Sequence, residues 1–297
     1  MINIAADNAS RNADGLKSDA RREGLWMLAV TVPAVLLITV LVLIPMSWLS
    51  WLSLLDENGA FTLQNYTRLA VSGAYVSILM NTFIISFAVT LLVGLLGYPI
   101  AYLMAQSSAR VTSLLLTAVL LPYWTPVLVR TYGWIAILQR NGPLNDVLVA
   151  FGLVNEPVQF LYQTSGAIIG MTQIMLPYLI IPVYIALRGV DKDYLKAAAG
   201  LGASPTVAFW RIYFPLSLPG FAAGALLVFI LSLGFYVVPA LMGGGKVTMI
   251  AMRIERSVMV YPNWGAASAL AVVLLVVTLL LLAISIRIAS LGGGKLR

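Results

Sequence analysis

Side chains that can do chemistry are scarce in this chain, and the gaps narrow its function. Its 297 residues include no cysteine and no histidine. That removes thiolate nucleophiles, disulfides, imidazole proton relays and the commonest metal ligands. The nearest match to a phosphate-binding loop is GGGKVT at 243–248. A true loop of that kind needs glycine at Ala240 and serine or threonine at Val247, so the segment reads as a glycine turn. No Asp or Glu falls within an apolar run, and acid–base catalysis has no pair of groups to use. The charged and amide side chains that do fall in apolar runs are Asn81, Arg130 and Gln173. A guanidinium facing lipid at mid-bilayer costs roughly 2.5–3.5 kcal/mol. Arg130, in VLVRTYGW, therefore snorkels to the headgroups, ties helices through their carbonyls, or lines a solute path. Asn81 and Gln173 present the same choice between interhelical hydrogen bonds and solute contact. The aromatic residues Tyr123, Trp124, Tyr132, Trp134, Tyr178, Phe235 and Tyr236 are individually anchors or packing groups. Together they supply ring faces that attract a cation.

The elements that must position these groups are membrane spans. Hydrophobic residues make up 61% of the chain and charged ones 10%, with a mean hydropathy of +0.95. This is not the composition of a soluble globular protein. Residues 1–24 are polar without apolar periodicity and read as an unordered or surface-lying cytoplasmic tail. Residues 25–290 form an all-α domain of six transmembrane helices, and 291–297 a short basic tail. The first span, 25–55, is too long for a signal-peptide core and has no convincing cleavage site. Its Pro33 and Pro45 suggest kinks. The others are placed at 75–105, 111–138 (interrupted by Pro122 and Pro126), 165–187, 219–241 and 266–286. A short surface helix is expected within 139–164, and an amphipathic one at 249–260 that could lie along the membrane. Gly94 and Gly97 would let the second span approach its neighbours closely.

Charge orients this layout. Arg11, Lys17, Arg21, Arg22, Arg110, Arg188, Lys192, Lys196, Arg211, Arg287, Lys295 and Arg297 fall on one side, twelve of the 18 basic residues. The positive-inside bias makes that side cytoplasmic, with both termini inside. The net charge of +7 then reflects topology, and no nucleic-acid partner is implied. On the same side lies the stretch RGVDKDYLKAAAGLGASPTVAFWRIYFPLSLPG, 188–220. It is charged, punctuated by Gly and Pro, and must sit in water. Tyr194 to Leu201 is rich in helix formers, Pro205 permits a new helical start, and Pro215 and Pro219 are expected to close the segment.

LKAAAGLGAS followed by RIYFP resembles the Glu-Ala-Ala…Gly…Ile…Pro cytoplasmic loop of binding-protein-dependent ABC importer permeases. Ala197, Ala198, Gly202, Ile212 and Pro215 fall on that pattern in order and spacing, flanked by Ala203 and Ser204. Lys196 stands where the family usually has Glu. The resemblance implies the type I importer permease fold, with a coupling loop at 188–218 seated in a cytoplasmic ATPase. LPYWTPVLVRTYGW at 121–134, NGPLND at 141–146 and LMGGGK at 241–246 resemble the spermidine/putrescine subgroup. On this resemblance the chain sits in a bacterial inner membrane. It works with a second homologous permease (as a heterodimer), two ATPase subunits carrying ATP and Mg, and a periplasmic solute-binding protein. It holds no cofactor of its own. The aromatic set would then line a path for a flexible polyamine, with either carboxylates supplied by the partner permease or a weak path and affinity residing in the binding protein. Related permeases handle opines, phosphonates and other small organic solutes, so the solute stays open. A self-sufficient secondary transporter would call for intramembrane acids or histidine and internal repeats, and neither is found. A structural membrane scaffold would not need the loop pattern.

Overall fold

The computed structural model describes residues 2–56 and 58–293. Its elements are helices joined by turns and by longer loops at 53–63 and 151–163, and among the described residues the β pairing is confined to a bridge between Leu55 and Phe61. The chain divides after Leu52 into two units. The first is a single helix, α1 (Ile2–Leu52), and Pro33 and Pro45 lie inside it without interrupting it. Residues 2–24, expected to be an unordered or surface-lying tail, continue this helix. They contain no proline, so a helix nucleated in the apolar run can propagate through them. The apolar part, Trp26–Leu52, is 27 residues long, about 40 Å as a helix and enough to cross a bilayer.

The second unit begins with α2 (Gln64–Val71), α3 (Gly73–Gln106) and α4 (Ala109–Leu120). A 3₁₀ turn at Leu121–Trp124 leads to α5 (Val127–Leu138), α6 (Pro143–Ala150) and α7 (Thr164–Arg188). Next come α8 (Lys192–Gly200) and α9 (Pro205–Ala208), which runs through a π-helical turn at Phe209–Tyr213 into α10 (Phe214–Leu233). The unit closes with α11 (Val237–Met242), α12 (Ile250–Met259) and α13 (Trp264–Gly293). Residues 294–297, the end of the expected basic tail, lie outside the described residues. Across both units, five helices are long and apolar enough to span a membrane, and the bent α4–α5–α6 stretch makes a sixth if counted as one span.

That bend is 104° and follows from Pro126. A residue before proline is pushed out of the α region, and Thr125 accordingly sits at φ −90°, ψ 132°. Pro126 itself is extended, at φ −53°, ψ 140°, before α5 starts. The expected surface helix within 139–164 is α6. The 249–260 helix is α12, but it does not simply lie along a surface. Ile250, Met252 and Ser257 are buried, and α12 packs on α13 and α3.

The core is the bundle of α3, α7 and α10, filled by Val89, Val93, Met104, Met171, Met175, Leu179, Ile180, Val183 and Val228. Glycine sets the spacing, as anticipated for Gly97: a Cβ there would stand 3.0 Å from Leu179. On α10, Gly220 and Gly224 press against α7, and a Cβ at Gly224 would lie 3.1 Å from the Leu179 Cα. This four-residue spacing of small residues lets two backbones touch. They meet beside Pro177 and Pro182, whose missing N–H groups loosen the α7 ladder.

The helix that carries the fifth span starts earlier than expected. It runs continuously from Pro205 to Leu233, so Pro215 and Pro219 lie within it and do not close the preceding loop. Pro215 directly follows the π turn, where the Phe214 amide already donates five residues back, to the Phe209 carbonyl, so the missing N–H falls where the ladder has shifted. The helix stops at Gly234, which leaves Phe235 and Tyr236 in the break before α11.

Candidate functional site

The 188–218 stretch has the local structure its residues dictate. Asp191 caps α8, its carboxylate accepting the Asp193 amide at 2.9 Å. At the other end Gly202 adopts φ +80°, the left-handed region where glycine carries no steric penalty. Its amide donates to the Ala199 carbonyl and the Ala203 amide to the Ala198 carbonyl, each at 2.9 Å. These two bonds are the paired closure of a Schellman helix stop. Ser204 then caps the next helix by accepting the Val207 amide at 3.4 Å, with Pro205 at its first position. The loop therefore folds by its own capping and stopping signals.

Ala198, Gly202, Ala203, Ser204 and Ile212, with Leu201, Val207 and Arg211, line an open groove of about 610 Å³. Leu201 is 90% exposed, and Tyr194, Val207 and Trp210 are exposed nearby. Lys196 and Ala197 are exposed on α8, and Pro215 on the first turn of α10. Lys196 ion-pairs with Asp193 at 2.7 Å, both side chains more than three-quarters exposed, so the pair adds little stability. It does leave Lys196 partly neutralised by its own helix.

An aromatic cluster unsignalled by the sequence fastens this loop to the bundle. The Tyr98 hydroxyl on α3 lies 2.8 Å from the Ser217 hydroxyl, which itself donates to the Phe214 carbonyl at 2.9 Å. The Tyr98 ring meets Phe209, Phe214 and Phe221 with centroids 5.7–6.2 Å apart. Tyr102 stands edge-on to Phe209 and Tyr213. Such pairs add about 0.5–1.5 kcal/mol each beyond buried area. Val190 and Leu187 are buried, and Leu195 packs on the core. Loop and bundle are thus one packed body.

Only some of the expected path residues come together. Arg130 lies over the Tyr123 ring at 5.1 Å, a cation–π distance. Tyr123 stands edge-on to Tyr178 at 5.6 Å and donates its hydroxyl to the Ile174 carbonyl at 3.0 Å. Among the described residues, the Nε and Nη1 of Arg130 are buried without an acceptor, and the Oε1 of Gln173 without a donor. The bend at Pro126 makes this cluster possible, because it folds α5 back beside the 3₁₀ turn. Trp124 (91% exposed), Tyr132 and Asn81 point away from the rest of this chain. Phe235 packs on the core, and Tyr236 sits exposed in the α10–α11 break. Trp134 also packs on the core. Beside Asn81, the buried polar group that joins helices is Thr82, which accepts the Ile250 amide at 2.9 Å. A single residue turns the helix face by about 100°, and the sequence does not say which face is covered.

Five helices long and apolar enough to cross a bilayer, or six with the bent pair, define an all-helical membrane protein. The family described as "Binding-protein-dependent transport system inner membrane component" matches residues 97–290. The spermidine/putrescine transport system permease protein PotB of Escherichia coli K12 is 36% identical over 235 residues, covering 79% of this chain and 85% of that one. Its Haemophilus influenzae counterpart is 34% identical over 260 residues, covering 86% and 91%. A crystal structure of a bacterial alginate ABC transporter, in complex with an alginate pentasaccharide-bound periplasmic protein, aligns at TM-score 0.73. It is 17% identical and covers 90% of this chain and 94% of that one, and it supports the fold alone. The chain belongs to the inner-membrane component family of binding-protein-dependent transport systems.

Proposed function

We propose that this chain forms one half of the membrane channel of an ATP-driven importer, with polyamines of the spermidine/putrescine type as its solute. The observation that carries the reading is the 36% identity to a spermidine/putrescine permease over most of both chains, together with the stop-and-start geometry of the 188–218 loop. In this reading the loop and both termini face the cytoplasm, and the groove beside Leu201 receives an ATPase subunit. A second permease, a different chain of the same family, completes the channel. Two ATPase subunits supply ATP and Mg, and a periplasmic binding protein delivers solute. Closure of the ATPases draws the coupling loops together, and each loop moves its packed bundle as one body between inward- and outward-facing states. No nucleotide chemistry falls to this chain.

Trp124, Tyr132, Tyr236 and Asn81, exposed on this subunit, face the second permease across the path. A flexible cation passes over the three ring faces without a carboxylate to trap it. One observation favours a second reading, an anionic solute such as an opine or phosphonate. It is the Arg130 guanidinium, with two buried nitrogens lacking an acceptor.

The test is uptake by vesicles holding the whole complex and its binding protein, across polyamines, opines and phosphonates. Polyamine uptake that falls in Trp124→Ala and Tyr236→Ala supports the reading. Uptake confined to anionic solutes replaces it with the second. Polyamine uptake untouched by both substitutions removes the aromatic path.

A further inference from the structure

A second site lies at the end of the bundle opposite the coupling loop. Tyr75 opens α3, whereas Tyr102 contacts the π turn below the loop. The 27 residue steps from Tyr75 to Tyr102 rise about 40 Å, the full thickness of a bilayer with its headgroups. At the Tyr75 end, α2, α12 and the start of α13 enclose a pocket of about 140 Å³, lined by Arg68, Arg253, Tyr75, Tyr261, Asn65 and Asn263 among others. The Arg253 guanidinium is held between two rings, 5.5 Å from the centroids of both Tyr75 and Tyr261. Its Nη2 donates to the Tyr75 hydroxyl at 3.4 Å. Arg68 reaches the same pocket from α2 and is exposed. Among the described residues neither arginine is ion-paired with a carboxylate. Asp56 lines the adjoining cleft with Arg68, but one of its oxygens is taken by the Asn58 and Ala60 amides. Glu255, two residues beyond Arg253, projects from the other side of α12.

We propose that this two-arginine pocket seats one carboxylate side chain, Asp or Glu, of the solute-loaded binding protein. The inference rests on the importer reading and its orientation, which put this end in the periplasm. Charge decides against solute: a dication would meet two guanidiniums and be repelled. A carboxylate is met by two planar donor forks in a pocket that admits little more than the carboxylate and its methylenes. The two tyrosine rings fix Arg253 in advance, so less side-chain freedom is lost on docking.

The experiment measures ATPase activity of the complete complex in vesicles against the concentration of loaded binding protein, at several ionic strengths. Arg68→Ala, whose side chain is exposed, keeps folding out of the question. It is expected to raise the half-stimulating concentration about tenfold, and the Arg68→Ala/Arg253→Ala pair about a hundredfold. Salt dependence should flatten in step, while basal ATPase activity and subunit co-purification stay unchanged. Arg256→Ala, an exposed charge outside the pocket, should leave docking as it was. Equal stimulation of wild type and double variant would overturn the proposal. So would a loss that appears only in vesicles containing anionic lipid, which would make a lipid headgroup the occupant. A wild-type complex that loaded binding protein fails to stimulate would instead bring down the importer reading itself.

Discussion

Replacing Gly202 with alanine isolates the part of the coupling loop that depends on backbone geometry alone. A Cβ at this position would meet nothing within 4 Å, so crowding plays no part. The whole penalty comes from holding an L-residue at φ +80°, roughly 1–2 kcal/mol. That energy acts on the two hydrogen bonds that close α8, from the Gly202 and Ala203 amides. One to two kcal/mol is about a 5- to 30-fold change in the balance between closed and open loop. Hydrogen exchange at these two amides, read in the assembled complex, should accelerate by that factor while amides in the α3–α7–α10 core stay protected. Gly202→Asn, which tolerates the left-handed region better, should fall between alanine and wild type. Binding of the ATPase subunit should weaken in the same order. If alanine and asparagine exchange alike at the wild-type rate, the loop is not held by its Schellman stop and the argument fails.

Two further expectations test how the bundle is joined. Thr82→Val keeps the shape but leaves the buried Ile250 amide without its acceptor. It should cost about 1–3 kcal/mol of stability by thermal denaturation in detergent, with Thr82→Ser largely restoring it. Gly224→Val forces side-chain atoms against the Leu179 backbone and should destabilise by roughly 1–3 kcal/mol or more. Ala223→Val, next to it on the exposed face of the same helix, should change stability little by comparison.

The spans were legible because an apolar run long enough for a bilayer has few other uses, and Pro126 announced the break in the third. The size of that break was not legible, since a proline states that a helix stops but not where the chain goes next. The two loop helices were legible from the helix formers at Tyr194 to Leu201 and the start at Pro205; their caps and stop act as locally, Asp191 on Asp193, Gly202 on Ala199 and Ser204 on Val207, but were found only in the structure. The start of the fifth helix is not legible, because Pro215 reads as a stop in isolation, whereas the π turn at Phe209–Tyr213 ahead of it lets the helix run on. What joins the elements was hidden for a different reason. Tyr98 meets Ser217 across 119 positions and Thr82 meets Ile250 across 168, and no local pattern encodes such pairs. The same distance hid which of Trp124, Tyr123 and Arg130 would turn inward.

The central claim is that the 188–218 loop is the seat of the ATPase, on the face of the membrane opposite Phe61. Because the chain has no cysteine, a single one can be introduced at Leu201 (90% exposed) or at Phe61 (67% exposed) without background. Cross-linking of each variant in the assembled complex is the direct measurement. Leu201→Cys should trap the ATPase subunit, in a manner that changes with nucleotide, and Phe61→Cys should not. Trapping of the ATPase from Phe61→Cys, with none from Leu201→Cys, would contradict the orientation and the coupling role together.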